Sequence, residues 1–225
     1  MGKVALVTGG TRGIGRAAAL ALADAGAHII ALARTQGALE SLDDEIRAKG
    51  SSATLVPVNL KDFEALDRLG AAIYERWGKL DILLGNAGQL GELAPITHID
   101  QPVWDEVMTV NVTANYRLIR SFDPLLRASD AGRAIFLTSG AAHKCNAYWG
   151  TYSISKAALD APTKIVCACA RSRRAKLRCR WQKIAAVQVA LTNRSTNARR
   201  RSNRHRYARG SGRHDADNLR HQARG

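Results

Sequence analysis

Lys3-Val4-Ala5-Leu6-Val7-Thr8-Gly9-Gly10-Thr11-Arg12-Gly13-Ile14-Gly15 reads as a short buried strand running into a glycine-rich turn, and the Ala/Leu-rich stretch to about Ala25 reads as a helix. Strand, glycine turn and helix, in that order, make a cradle for a dinucleotide. Glycines let the backbone turn sharply and approach a pyrophosphate, while the free N–H groups and positive dipole at the helix start attract the anion. The spacing is Gly-x-x-x-Gly-x-Gly, which differs from the widespread Gly-x-Gly-x-x-Gly fingerprint.

Further apolar, strand-like runs lie at about 27–33, 53–58, 80–84 and 133–139. Stretches with helical periodicity separate them, among them Leu39 to Ala48 and Asp62 to Trp77. Strands alternating with helices predict an α/β fold, a Rossmann-like doubly wound parallel sheet with helices on both faces. Ligands in such sheets bind beyond the carboxyl ends of the strands. The glycine turn, Asn86 and Ser139 all fall at such ends.

A second pattern lies downstream. Ser139 is followed by Tyr152 and then, four residues on, by Lys156. A Tyr and a Lys at i and i+4 share a helical face, so the ammonium can stand beside the phenol and favour its ionised form.

With both ends in view, from Met1 to about Asp160, the chain resembles the short-chain dehydrogenase/reductase family. The residues that carry the resemblance are Thr8-Gly9-Gly10-Thr11-Arg12-Gly13-Ile14-Gly15, Asn86-Ala87-Gly88, Asn111, Ser139, Tyr152 and Lys156. The resemblance implies an oxidoreductase that interconverts a carbonyl and an alcohol by hydride transfer with NAD or NADP. It implies a catalytic set of Asn111, Ser139, Tyr152 and Lys156. Tyr152 would donate or accept the proton, Ser139 would bond the substrate oxygen, and Lys156 would assist Tyr152 and bind the nicotinamide ribose. Asn111 would fix a water between Lys156 and solvent. Cofactor contacts would come from Gly9, Thr11, Arg12, Gly13, Ile14, Gly15, Arg34, Asn59, Asn86, Ala87 and Gly88, as well as Tyr152 and Lys156. Two positions depart from the pattern. Asn59 stands where the family commonly has an Asp near the adenine, and Gly85 replaces the first Asn of an Asn-Asn-Ala-Gly turn.

Charge argues for the choice of cofactor. Sites for NAD place a carboxylate at the end of the second strand, where it bonds the ribose hydroxyls and repels a 2'-phosphate. Here Ala33-Arg34 occupies that place and Arg12 offers a second guanidinium from the glycine turn, so NADP(H) is expected over NAD(H). The loops at 89–104 and 140–151, with His143, Cys145, Tyr148 and Trp149, are expected to line the substrate pocket.

The net charge of +15 invites a different hypothesis, but it is placed unevenly. Residues 1–170 hold 17 basic and 17 acidic residues, so the whole excess lies in 171–225. The expected organisation is a Rossmann domain over 1–193 and a basic, Arg-rich tail over 194–225 that is disordered and irregular. Such a tail meets nucleic acid only through nonspecific phosphate contacts, and Trp181 and Tyr207 offer little base stacking. The alternative function class is therefore a catalytically weak or inactive scaffold whose tail binds polyanions.

The tail also departs from the family. Val187-Gln188-Val189-Ala190-Leu191 could form a sixth strand, but the last proline is Pro162, so the expected Pro-Gly turn over the nicotinamide is missing. The onset of Arg, Cys and Ala fits translation of a GC-rich gene out of frame after about Pro162. Freely chosen codons for Asn197 to Arg200, read one nucleotide later, begin Met-Arg-Ala, as in many members of the family. Cys145, Cys167, Cys169 and Cys179 lack the spacing of a zinc site, so free thiols and no metal are expected. No membrane-length apolar run or signal peptide is legible, and a cytoplasmic protein is the expectation. The family forms dimers or tetramers through two long helices and the final strand. A homodimer acting on a small-molecule carbonyl or alcohol is the expectation here.

Overall fold

A computed structural model describes residues 2–172, with side chains placed through Pro162. Five strands form one parallel sheet: β1 (Val4–Thr8), β2 (His28–Ala33), β3 (Ala53–Pro57), β4 (Ile82–Gly85) and β5 (Arg133–Phe136), in the spatial order β3-β2-β1-β4-β5. The chain steps outward from β1 to β3 and then returns to the other side of β1. That reversal opens a crevice between β1 and β4, the place where doubly wound sheets take their ligands.

Helices α1 (Gly13–Asp24), α2 (Gln36–Ala48) and α3 (Phe63–Trp77) link the first four strands. After β4 come a 3-10 turn (Ile96–His98), α4 (Gln101–Met108), a π-helical segment (Thr109–Thr113) and α5 (Ala114–Ala128). Beyond β5 lie the short α6 (Ala141–Lys144) and the long α7 (Gly150–Ser172). Alternate strand residues feed two cores. Ala5, Val7, Ile29, Ala31 and Leu84 pack with Ala19 and Ala23 of α1 and Leu39, Leu42 and Ile46 of α2. Leu6, Ile30, Leu32, Leu83 and Phe136 pack with Leu66 and Ile73 of α3 and Leu118 and Phe122 of α5. Since both faces are covered, the strands carry no polar face, and their sequence runs apolar without alternation.

Local signals set the helix ends. Asp62 caps α3 by accepting from the Ala65 N–H at 2.9 Å, and Gly78 ends it in the left-handed region at φ 67°. The expected α/β architecture is therefore the observed one. Most boundaries shift by one or two residues, and two shift by three. The helix expected from Leu39 begins at Gln36, and the strand expected over 133–139 leaves the ladder after Phe136. Leu137 still donates its N–H to the Gly85 carbonyl at 3.0 Å, but its own carbonyl is taken by Lys156.

No helix among the described residues is long and apolar enough to cross a membrane. The sixth strand at 187–191, the domain boundary near 193, the Arg-rich tail, Cys167, Cys169 and Cys179 as thiols, and the proposed change of frame all fall on residues or side chains outside the described set.

Candidate active site

The glycine turn is built by close approach. Gly9 and Gly13 take φ values of 62° and 55°, which L side chains rarely adopt. A Cβ on Gly15 would lie 2.2 Å from the Gly9 carbonyl oxygen and 2.4 Å from Asn86 Nδ2, so only glycine lets α1 start this near the end of β1. Arg12 occupies the cap position without a side-chain capping bond, and the first turn of α1 holds no acidic residue. Among the described residues, no side chain caps the N–H groups of that turn, which are the groups an anion would meet. Arg12 and Ile14 are exposed beside them, Ile14 at 39 %. This arrangement fits a dinucleotide pyrophosphate.

Asn86 braces the turn from the neighbouring strand. Its Nδ2 donates to the carbonyls of Thr8 (2.8 Å) and Gly9 (3.0 Å). Thr8 Oγ1 accepts the N–H groups of Asn86 and Ala87, both at 3.0 Å, and donates to the Leu84 carbonyl at 3.3 Å. Asn86 and Ala87 are therefore bound into the shape of the turn. Gly85 explains itself by its neighbours, since a Cβ there would fall 2.3 Å from the Phe136 ring and 2.7 Å from Asn115 Oδ1. The space that a longer side chain would need is filled from β5 and α5.

At the other end of the crevice, Arg34 emerges exposed after β2, and Asn59 follows β3 with its Oδ1 accepting the Lys61 N–H at 3.1 Å. Among the described residues, Asn59 Nδ2 takes no hydrogen-bond partner.

The catalytic candidates converge around Lys156. Its side chain is buried on α7, with Nζ donating to the Leu137 carbonyl at 2.8 Å and lying 5.8 Å from the centre of the Tyr152 ring. Burial lowers its pKa from 10.5 to about 8, because the charged form loses solvation. A Cβ on Gly88 would lie 3.2 Å from both Lys156 Nζ and Asn111 Oδ1, so the missing side chain at Gly88 leaves room for both groups. Tyr152 is half-buried and meets the edge of Trp149 at a centroid distance of 6.0 Å. Ser139 stands two residues after the carbonyl that holds Lys156, and its Oγ accepts the Ala141 N–H at 3.2 Å at the start of α6.

Asn111 lies fully buried in the π-helical segment, a kind of helix irregularity frequent at functional sites. Its side chain bonds the backbone of Gln89 and the hydroxyl of Ser155, and Ser155 in turn donates to the Tyr152 carbonyl at 2.8 Å. Sequence reasoning had not singled out Ser155 or Gln89. The signal for Ser155 was its place three residues after Tyr152, one helical turn away, whereas Gln89 participates through its backbone, which no side-chain pattern reports. His143, expected in a pocket loop, pairs its Nε2 with Asp160 Oδ2 at 3.4 Å.

The short chain dehydrogenase family model matches residues 3–201 of this chain, farther than the resemblance first traced. The chain belongs to that family, and its parallel sheet is of the kind found in solved short chain dehydrogenases. It is 33% identical over 167 residues to the uncharacterized oxidoreductase YciK of Escherichia coli (strain K12), covering 73% of this chain and 66% of that one. It is 33% identical over 162 residues to dehydrogenase/reductase SDR family member 4 of Bos taurus, covering 72% and 58%. The chain spans about half to two thirds of the length of the curated relatives it matches. Among solved structures, a short chain dehydrogenase from Shigella flexneri 2a str. 301 complexed with NADP superposes with a TM-score of 0.73 at 33% identity, covering 76% of this chain and 73% of that one. A short chain dehydrogenase from Escherichia coli CFT073 complexed with NADPH gives 0.72 at 34%, covering 76% and 72%.

Proposed function

We propose that this chain is an NADP(H)-dependent oxidoreductase that interconverts a carbonyl and an alcohol, with Tyr152 as the acid and base. The observation that carries the reading is Lys156, a buried cation held by the Leu137 carbonyl beside the Tyr152 ring. Buried titratable groups with shifted pKa values cluster at functional sites.

The residues divide the work. When bound, the nicotinamide supplies or accepts the hydride. Tyr152 Oη gives its proton to the substrate oxygen during reduction and takes one during oxidation. The Lys156 ammonium offsets the negative charge left on Tyr152, and Ser139 Oγ donates a hydrogen bond to the substrate oxygen as charge builds there. Asn111 and Ser155 hold the backbone around Tyr152 and Gln89, which fixes where these groups point. The glycine turn and α1 start would hold the pyrophosphate, and Arg12 and Arg34 the 2'-phosphate. Cofactor complexes of the Shigella and Escherichia relatives support this choice of nucleotide.

Turnover of a panel of carbonyls with NADPH, and Tyr152→Phe in parallel, tests the proposal. The variant is expected to lose nearly all turnover while still binding NADPH. Equal turnover in the variant would refute the role of Tyr152, and a clear preference for NADH would refute the cofactor assignment.

A further inference from the structure

We propose that Glu106 is a specificity-determining residue, whose carboxylate holds Lys61 in an ion pair and so tempers the preference of the adenine end for the phosphorylated cofactor. The inference rests on the NADP(H) reading above and deepens it.

Glu106 belongs to α4, which follows β4, yet its Oε1 meets groups from two different strand ends. Lys61 Nζ, two residues past Asn59 after β3, reaches it at 3.5 Å, and Gln89 Nε2, after β4, donates to it at 3.2 Å. The carboxylate therefore spans the carboxyl edge of the sheet, from the β4 side to the β3 side. Its carboxyl is held below the ordinary range by the Gln89 hydrogen bond first, then by Lys61, with Arg34 contributing at longer range. Arg34 thus lies within the field of Glu106. Arg34 has no ion-pair partner among the described residues, so Lys61 is the cation beside Glu106 that is already compensated.

The two cofactors differ in what they ask of this pair. A nucleotide without a 2'-phosphate leaves the Lys61–Glu106 pair as it stands. A 2'-phosphate attracts Lys61 and Arg34 but must either draw Lys61 from its partner or accept a second anion nearby. Glu106 accordingly weakens the phosphorylated nucleotide selectively. Gln89 gives the same carboxylate a link inward, since its backbone is the group that Asn111 holds.

Glu106→Gln keeps an acceptor for Gln89 Nε2 and removes only the charge. Titration of the full chain with NADPH and with NADH, read by nicotinamide fluorescence at low salt, gives the ratio of the two Kd values. The variant is expected to shift that ratio toward NADPH by about three- to tenfold, with the gain shrinking as salt screens it. Lys61→Met is expected to shift the ratio the opposite way, and Glu106→Gln added to it should bring a smaller gain. A structural defect would weaken both nucleotides alike. An unchanged ratio, or equal weakening of both nucleotides, overturns this inference while the NADP(H) reading stands on the parent chain's own preference. Absence of nucleotide binding in both proteins overturns that reading and this inference with it.

Discussion

Asn111 closes its side-chain amide on the backbone of Gln89 from both sides, Oδ1 accepting the N–H and Nδ2 donating to the carbonyl, each at 2.8 Å. The same Nδ2 lies 2.9 Å from Ser155 Oγ, so one buried side chain fastens the turn after β4 to α7. Replacing Asn111 with Leu leaves three polar groups without this partner. We expect a loss of about 2–3 kcal/mol of unfolding free energy by urea titration. A loss below about 0.5 kcal/mol would mean that water replaces the amide at little cost.

Gly15 gives a sharper case. An added methyl would press on the Gly9 carbonyl and on Asn86, both parts of the turn itself. Gly15→Ala should therefore displace the turn and weaken NADPH binding by at least about tenfold, or about 1.4 kcal/mol. Retention of the parent Kd would show that the turn can relax without losing its anion site.

Lys156 links activity and stability to pH with opposite signs. Its pKa of about 8 means that the ammonium beside Tyr152 is lost as pH rises through that value, and carbonyl reduction should fall with it. For stability, the folded chain gives up this proton at lower pH than the unfolded chain. Burial of the charge therefore costs on the order of 3 kcal/mol below about pH 8, and the cost is relieved as pH rises toward the unfolded value near 10.5. Comparing the parent with Lys156→Met over this range isolates this cost. The parent should gain stability relative to the variant between pH 8 and 10.5, and a constant difference would contradict it.

Asp81 has the reverse dependence. Burial alone would raise its pKa, but the Ser129 hydroxyl, the Val4 N–H and Lys79 together hold it below the ordinary carboxylate value. Its contribution is present above the unfolded pKa, about 3.9, and is lost as pH falls through the lower folded value. Asp81→Asn should be less stable than the parent at neutral pH, with the gap narrowing in acid. A gap independent of pH would assign the effect to shape and not to charge.

Much of the site was legible because its residues act through type and local spacing. The glycine turn, Tyr152 and Lys156 announce themselves within a few residues of chain. Boundaries were legible where the end is local, as at Asp62 and Gly78, and blurred where a distant group decides. The strand after Arg133 looked longer because Leu137 extends its apolar run and the β-branched Thr138 suits a strand. It ends sooner because Lys156, from another element, claims the Leu137 carbonyl.

The sequence by itself determined the α/β alternation, the glycine turn and the residue types of the candidate site, since periodicity, glycine spacing and an i, i+4 pair are properties of neighbouring residues. Tertiary structure alone decided which partners those residues take. Asn86 serves the turn, Asn111 holds Gln89 and Ser155, and Glu106 spans to Lys61, each across a separation in sequence that no local pattern encodes. The physical reason is that parallel strands bring remote strand ends to one edge. A buried polar group there must bond whatever that edge supplies.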